Sequence, residues 1–523
     1  MKRRAAAVLA AVVVCLAAVS LTACGGSGGS SSGSGSSSVK PGRGGSLTVS
    51  LATEARGLDP FVASPQGAAD GNRLMAIYDV LLRFDPKAGK IEPGLATGAT
   101  SEDNLTWTLK LREGVTFSDG TPFDAEAVKY TWEQHGVPEN GSLQSAALKG
   151  DSFTVVDPLT LRITLPEPNA HFDKLIARSV PYIGSPTAMR KGLAEFSKNP
   201  VGAGPFVVEE WVRDDHLTLR RNPTYWNAPA PNLDELTFVV NTDEQQRYNA
   251  FVAGQTDLML TQTAETIERA NAAGTVVDLH ELNGGDALLF NNDRAPFDDV
   301  RARQAVAAAL SRERLDQVVF GGKGLPGGDL FRENSPFHVP GLAAVDGDTA
   351  RAQRLLDELA ADGKPLRFDI LIPSSPLARA LGEYLQAALG GLRNIEVGLK
   401  TVDFVSYQVK VLFNRDYDLS FLTIRFDDPE PVLWNRLHSD RTDNYVGYHS
   451  PAMDAALDRE RATADGPERL AALTEVQTVF SRDVPFWLYQ QSVVGAIHGD
   501  DVAGVEFFNE GTMRVDALGR TDG

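Results

Sequence analysis

The stretch LTWTLKLREGVTFSDGTPFDAEAVKYTWE, residues 105–133, reads as three local structures in succession. Residues 105–111 alternate apolar and polar side chains, the period of a strand with one face buried. Gly114 and Gly120 flank the Val-x-Phe run that follows, where tight turns favour a residue without Cβ. Asp124 then stands before AEAVKYTW as an N-cap, and Glu126 falls in the first turn, where the helix dipole suits an acid. Strand, turn and capped helix within 29 residues point to a mixed α/β chain.

Working outward, the segments 44–52, 160–165, 217–221, 236–240 and 287–291 read as further short strands. No regular helix–strand alternation dominates this half, which implies a mixed sheet with helices around it. The pattern changes after Asn292. In VRARQAVAAALSRERLDQVVFGG, residues 300–322, Val306, Leu310, Leu315 and Val318 follow helical spacing, with Gly321 as a stop. TARAQRLLDELAADG (349–363) reads as a second helix. RFDILI (367–372), the helical LARALGEYLQAAL (377–389) and IEVGLKTV (395–402) then make a βαβ unit, which requires a parallel pair and a right-handed crossover. YDLSFLTI (417–424) is another strand, PERLAALTEVQTVFSRD (467–483) a long helix, and WLYQQSVVGAI (487–497) a late strand. Asn222-Pro223 marks a turn before Tyr225 and Trp226, both expected in the core.

The N-terminus carries Lys2, Arg3 and Arg4 ahead of an apolar run from Ala5 to about Ala18, the charge order and length of a secretory signal. Leu21-Thr22-Ala23-Cys24 resembles a bacterial lipobox, in which the Cys becomes the first mature residue and is lipidated. Residues 25–38 are only Gly and Ser, a flexible tether that buries no core. Signal peptide 1–23 and lipidated tether 24–43 are therefore expected, with the chain held at the outer face of the cell membrane through its lipid alone. Cleavage before Cys24 leaves 500 residues and Cys24 as the single thiol, so the fold rests on its core and on no internal disulfide. Loss of the three signal cations takes the formal charge from −19 to about −22. With no basic cluster, nucleic acid is not an expected partner.

A hydrolase needs a nucleophile with a base, and the sequence has neither Gly-x-Ser-x-Gly nor His-Glu-x-x-His. The eight histidines are scattered, and none has a partner at i, i+4, so no preformed metal site and no cofactor is expected. GGKGLPGGD, 321–329, lacks the Gly-Lys-Ser/Thr of a phosphate loop and reads as a mobile loop. LTIRFDDPEP, 422–431, gathers Asp427, Asp428 and Glu430 around two prolines, and could be a metal site, a catalytic dyad or a polar loop at a strand end.

Four stretches together resemble the extracytoplasmic solute-binding proteins of ABC importers, specifically the peptide/nickel-binding family 5. They are the opening stretch; Gly202-Ala203-Gly204-Pro205-Phe206 with Arg221-Asn222-Pro223-Thr224-Tyr225-Trp226; Pro296-Phe297-Asp298-Asp299-Val300-Arg301; and Asn444-Tyr445-Val446-Gly447-Tyr448 leading to Met453-Asp454. The resemblance implies a two-lobed periplasmic-binding-protein-like α/β fold of type II, with mixed sheets, a hinge and an extra subdomain in the first lobe. Lobe I would be 44–293 plus 488–523, with the subdomain at about 83–199, and lobe II 294–487. It implies a monomeric receptor, not an enzyme, that captures a peptide-like or other polar solute by hinge closure and delivers it to ABC permease subunits. A sensor or scavenger without an importer, and an oligosaccharide or metal-chelate receptor, are the alternatives. Peptide binders of the family carry a motif like Trp-x-x-Asp-Tyr-x-Asp/Glu-Pro, whose Asp meets the peptide ammonium. Aligned on Asp428-Pro429, Leu422 takes the Trp position, Arg425 the Asp and Phe426 the Tyr. An arginine there repels a free amine and suits a carboxylate or phosphate. An exposed ion pair is the plainer reading of Arg425. Asp427 either restores an amine contact or pairs with Arg425. Tyr489 and Gln491, on the second crossing segment, and Asp59, near the first lobe's rim, complete the expected ligand-binding set.

Overall fold

The alternation in TWTLKL is realised as a strand, Thr106–Leu111, that buries Trp107, Leu109 and Leu111 on one face. That face packs with Val128 and Trp132 of the helix Ala125–His135, and the Asp124 cap accepts the Ala127 amide at 2.9 Å. Complete burial of a side chain such as Leu109 contributes about 1.5–3 kcal/mol, which outweighs intrinsic strand preference. The strand lies inside a four-stranded antiparallel sheet, flanked by Ala96–Ser101 and Thr160–Thr164, with Ser152–Asp157 outermost. This small sheet and its helix enclose their own core.

The computed structural model describes residues 40–521. The expected signal peptide, Cys24 and most of the Gly/Ser tether lie outside the described residues. The rest of the chain is organised by one ten-stranded mixed sheet. Its strands are β1 (Ser46–Leu51), β2 (Phe206–Val212), β3 (His216–Arg221), β4 (Glu235–Val240), β5 (Leu258–Thr261), β6 (Val276–Phe290), β7 (Leu366–Pro373), β8 (Ile395–Val402), β9 (Leu419–Phe426) and β10 (Phe486–His498). In space they run β8-β7-β9-β6-β10-β5-β1-β4-β3-β2. The βαβ unit is present: β7 and β8 pair in parallel around the helix Pro376–Leu389.

The molecule has two lobes because two long strands, β6 and β10, run side by side through both. The first part of β6 pairs with the end of β10, which also holds β5; its last part pairs with β9. Between these parts the register slips twice. Asn283 and Gly284 are extra on β6, and Tyr489 is extra on β10. Such bulges bend and twist a strand pair locally. Gly284 and Gly285 have φ +72° and +153°, and a Cβ on Gly285 would lie 1.8 Å from the Gln490 carbonyl oxygen, so the slip requires glycine.

Three local expectations change. The segment 300–322 is two helices, Val300–Ala309 and Arg312–Val319, because Leu310 is extended and Ser311 caps a new start by accepting the Arg314 amide. Val318 consequently faces solvent. Trp226 is only half-buried, under the Arg112 guanidinium, with its Nε1 donating to Asp79, while Tyr225 is buried. The Gly-rich segment 321–329 is docked on β10: Leu325 N donates to the Gln490 side chain, and Leu325 O accepts the Gln491 amide.

Candidate ligand cleft

Alternation along β9 sorts the candidate residues onto two faces. Leu422, Ile424 and Phe426 point into a core shared with Ala287, Leu289 and Leu488. Phe426 is fully buried against Phe331, so its ring is scaffold and does not line a pocket. Leu422 is half-buried against the same core. Thr423 and Arg425 alternate to the opposite face, where Leu288, Phe421, Trp487 and Tyr489 form another core. Tyr489 reaches that face as the bulged residue of β10 and is buried. Gln491 is half-buried, and its backbone carries the docked Gly-rich segment.

Arg425 reaches from β9 to the other lobe. Its Nη1 donates to Gln262 Oε1 at 2.5 Å, and its Nε lies 3.9 Å from Glu510 Oε2. Glu510 is already held by Arg178 at 2.6 Å, so it only partly offsets the Arg425 charge. Asp427 does not pair with Arg425. The strand ends at Phe426, and Asp427 Oδ2 accepts the Glu510 amide at 2.7 Å while Oδ1 lies 2.9 Å from His280 Nε2. Asp59 is spent on a turn: its Oδ1 accepts the amides of Phe61 and Val62.

Beside Gln262 a cavity of about 340 Å³ opens, lined by Thr53, Ala68, Arg247 and Thr261. It lies past the C-terminal ends of the parallel strands β1 and β5, where open α/β sheets characteristically take ligands. Gly67, at the turn that forms one wall, stands within 3.4 Å of Arg425 Nη2, measured from the position a Cβ would take. Arg425 therefore sits at the cavity edge with most of its five donors unspent among the described residues.

Asp428 and Glu430 prove to be ion-pair residues that join segments far apart in the chain, and no group of three or more His, Cys, Asp or Glu placed to hold a metal ion is found among the described residues. Asp428 is gripped by Arg469 at 2.6 and 3.0 Å and by Lys174 at 2.9 Å. Lys174 belongs to the helix Phe172–Ser179 beside the small sheet, and it also binds Asp465 at 2.9 Å. Glu430 accepts from Asn169 at 3.1 Å and lies 3.2 Å from Arg461. Burial pushes the Asp428 carboxyl up, but Arg469 and Lys174 outweigh it and hold it well below the usual range. Burial raises Glu430, and it raises Glu460 to about 7 against the pull of Arg469. Burial, then Arg469 and Lys174, lower His171 to about 4. Signals for these partners are absent from the local sequence: Lys174 lies 254 residues from Asp428.

Comparison with known proteins agrees with this architecture. Residues 90–444 match the family described as bacterial extracellular solute-binding proteins, family 5. The glutathione-binding protein GsiB of Salmonella paratyphi A is 31% identical over 340 residues, 63% of this chain and 64% of the relative, so the match spans under two thirds of that protein's length. The periplasmic oligopeptide-binding protein OppA of Salmonella typhimurium is 24% identical over 84% of this chain and 86% of its own. Among solved structures, AgaA of A. tumefaciens R10, in complex with agropinic acid, superposes with a TM-score of 0.78 at 24% identity, covering 92% of this chain and 99% of its own. The Escherichia coli murein tripeptide binding protein MppA gives 0.77 at 21% identity, over 93% of this chain and 100% of its own. These likenesses fix a shared two-lobed fold. The chain belongs to the family 5 bacterial extracellular solute-binding proteins, which are receptors and not enzymes.

Proposed function

We propose that the protein is a lipid-anchored receptor of an ABC importer, which captures an anionic, amino-acid-derived solute between its lobes and hands it to permease subunits. Cys24 supplies the anchor, and the protein works as a monomer on the outer face of the cell membrane. The observation that carries the ligand reading is Arg425, bridged to Gln262 at the edge of the cavity beside β1 and β5, where a peptide receptor would present its amine-binding acid. A guanidinium with free donors suits a carboxylate in two-pronged geometry. Closure turns on the paired bulges at Asn283–Gly284 and Tyr489, with lobe I and lobe II dividing there. The relatives' names include a glutathione-binding protein, and glutathione is itself an anionic, amino-acid-derived solute.

Isothermal titration of the full-length chain in detergent, against a dipeptide and tripeptide set that includes acidic and N-acetylated members, tests this. Arg425→Ala is expected to weaken the acidic ligands by roughly 10- to 100-fold. Micromolar binding of ordinary free-amine peptides that survives Arg425→Ala but disappears in Asp427→Ala would sink the reading.

A further inference from the structure

The sheet face that carries Arg425 also carries an acid from the neighbouring strand. Asp286 lies on β6 directly opposite Thr423 of β9, and Arg425 lies opposite Gly284. Asp286 and Arg425 are therefore diagonal neighbours on one face, a separation of roughly 7–8 Å along an antiparallel pair. They do not touch: no ion pair joins them among the described residues. The ladder position facing Arg425 on β6 is a glycine, so that partner puts no side chain between the two charges. On its other side Asp286 faces the bulge that delivers Tyr489.

Asp286 is also under-compensated. Its one hydrogen-bond partner among the described residues is the Thr423 hydroxyl, which donates to Oδ1 at 2.6 Å. Burial pushes its carboxyl up, and Thr423 and Arg425 only partly pull it back. A half-buried carboxylate with a single neutral partner gains most from a cation that arrives with its own hydrogen bonds. Thr423 itself is exposed, so the pair is reachable from solvent.

We infer that Asp286 and Arg425 together form a subsite for an α-amino-acid head group, in which Asp286 takes the ligand's ammonium and Arg425 the carboxylate on the same carbon. This rests on the reading of Arg425 as the ligand's anion contact and adds the missing counter-charge. The amine-binding acid expected on β9 is replaced by a cation, and an acid stands instead one strand over, at the hinge. The ligand class is thereby narrowed to solutes with a free amino-acid head, such as γ-glutamyl compounds. Ligands whose ammonium and carboxylate lie at opposite ends of a peptide chain do not fit both groups.

The test is titration of the full-length chain with glutathione, γ-glutamylglycine and L-glutamate, each beside its N-acetyl counterpart. Wild type is expected to bind at least one free-head probe on the order of 10- to 100-fold more tightly than its acetylated form. Asp286→Asn, an isosteric change, is expected to erase that difference, by weakening the free-head probe and leaving the acetylated one unchanged. Thr423→Val removes the hydroxyl that orients the carboxylate, and serves as a second handle should Asp286→Asn not fold. It is expected to cost several-fold, confined to free-head probes. If Arg425→Gln weakens the probes while Asp286→Asn leaves the acetylation difference intact, the subsite is overturned and the anionic-ligand reading stands. If wild type binds none of the probes, or does not distinguish the acetylated forms, the subsite is overturned as well. If Arg425→Gln changes nothing, both readings fall.

Discussion

Gly285 shows how much one residue at the cleft floor controls. At φ +153° it occupies a conformation that L side chains rarely adopt, and a methyl group would press on the Gln490 carbonyl. Neither strand can yield without losing the register that aims Asp286 and Tyr489. Gly285→Ala is expected to destabilise the protein by about 2–4 kcal/mol, read from the urea midpoint at unchanged slope. An unchanged midpoint would mean that the strand pair slides freely at this point. Arg425 lies at the other extreme: half-exposed, spending one donor on Gln262, it holds little of the fold together. Its replacement belongs to ligand affinity and not to stability.

Among the elements, those decided by near neighbours were legible in the sequence. The Thr106–Leu111 strand, its Asp124-capped helix and the β7–helix–β8 unit each follow from spacing within about a dozen residues. The break at Leu310–Ser311 also had a local signal, a serine able to cap, but the apolar spacing across it matched a single helix. Ser311→Ala is therefore expected to cost about 0.5–2 kcal/mol, measured by thermal or chemical unfolding, because the second helix loses its start. No loss would show that tertiary packing alone sets the break. The candidate site was only partly legible. Arg425 could be found by its place before Asp428-Pro429, whereas Asp286 looks like an ordinary strand residue. Its role depends on a register shared with β9 and β10, more than a hundred residues away. Phe426 aligns with the family motif's Tyr, which implies a place in the pocket, but β9 alternation turns it to the core.

On the scale of the whole molecule, segments far apart in the chain meet through a cluster of buried and half-buried charges. Asp428, Glu430, Glu460 and Asp465 face two arginines, Arg461 and Arg469, and the helix Phe172–Ser179 with the residue before it brings Lys174 and His171. His171 and Glu460, 4.0 Å apart, are shifted in opposite directions by burial. His171 is lowered to about 4, so its contribution is complete above its unfolded value near 6.5 and is lost as pH falls toward 4. Glu460 is raised to about 7, so its contribution is complete below its unfolded value near 4.5 and is lost as pH rises toward 7. Between about pH 4.5 and 6.5 the contributions of these two groups slope in opposite directions and offset each other. Relative to wild type, His171→Gln is expected to make stability fall more steeply as pH rises through this window, and Glu460→Gln to make it fall more steeply as pH drops. Unfolding midpoints across pH 4.5–7 check this; changes of slope of the same sign in both variants would refute the compensation.

The bulge at Tyr489 carries one more consequence. It lies two residues from Trp487, with ring centres 6.3 Å apart, and Trp487 is buried beneath the Arg312 guanidinium. Arg312 in turn donates from Nε to the Leu488 carbonyl, inside the same turn of backbone. An indole whose cation lid is tied to the bulged strand is a built-in optical gauge. Closure at the bulge is expected to shift this ring's emission, read as the difference between wild type and Trp487→Phe because five other tryptophans also emit.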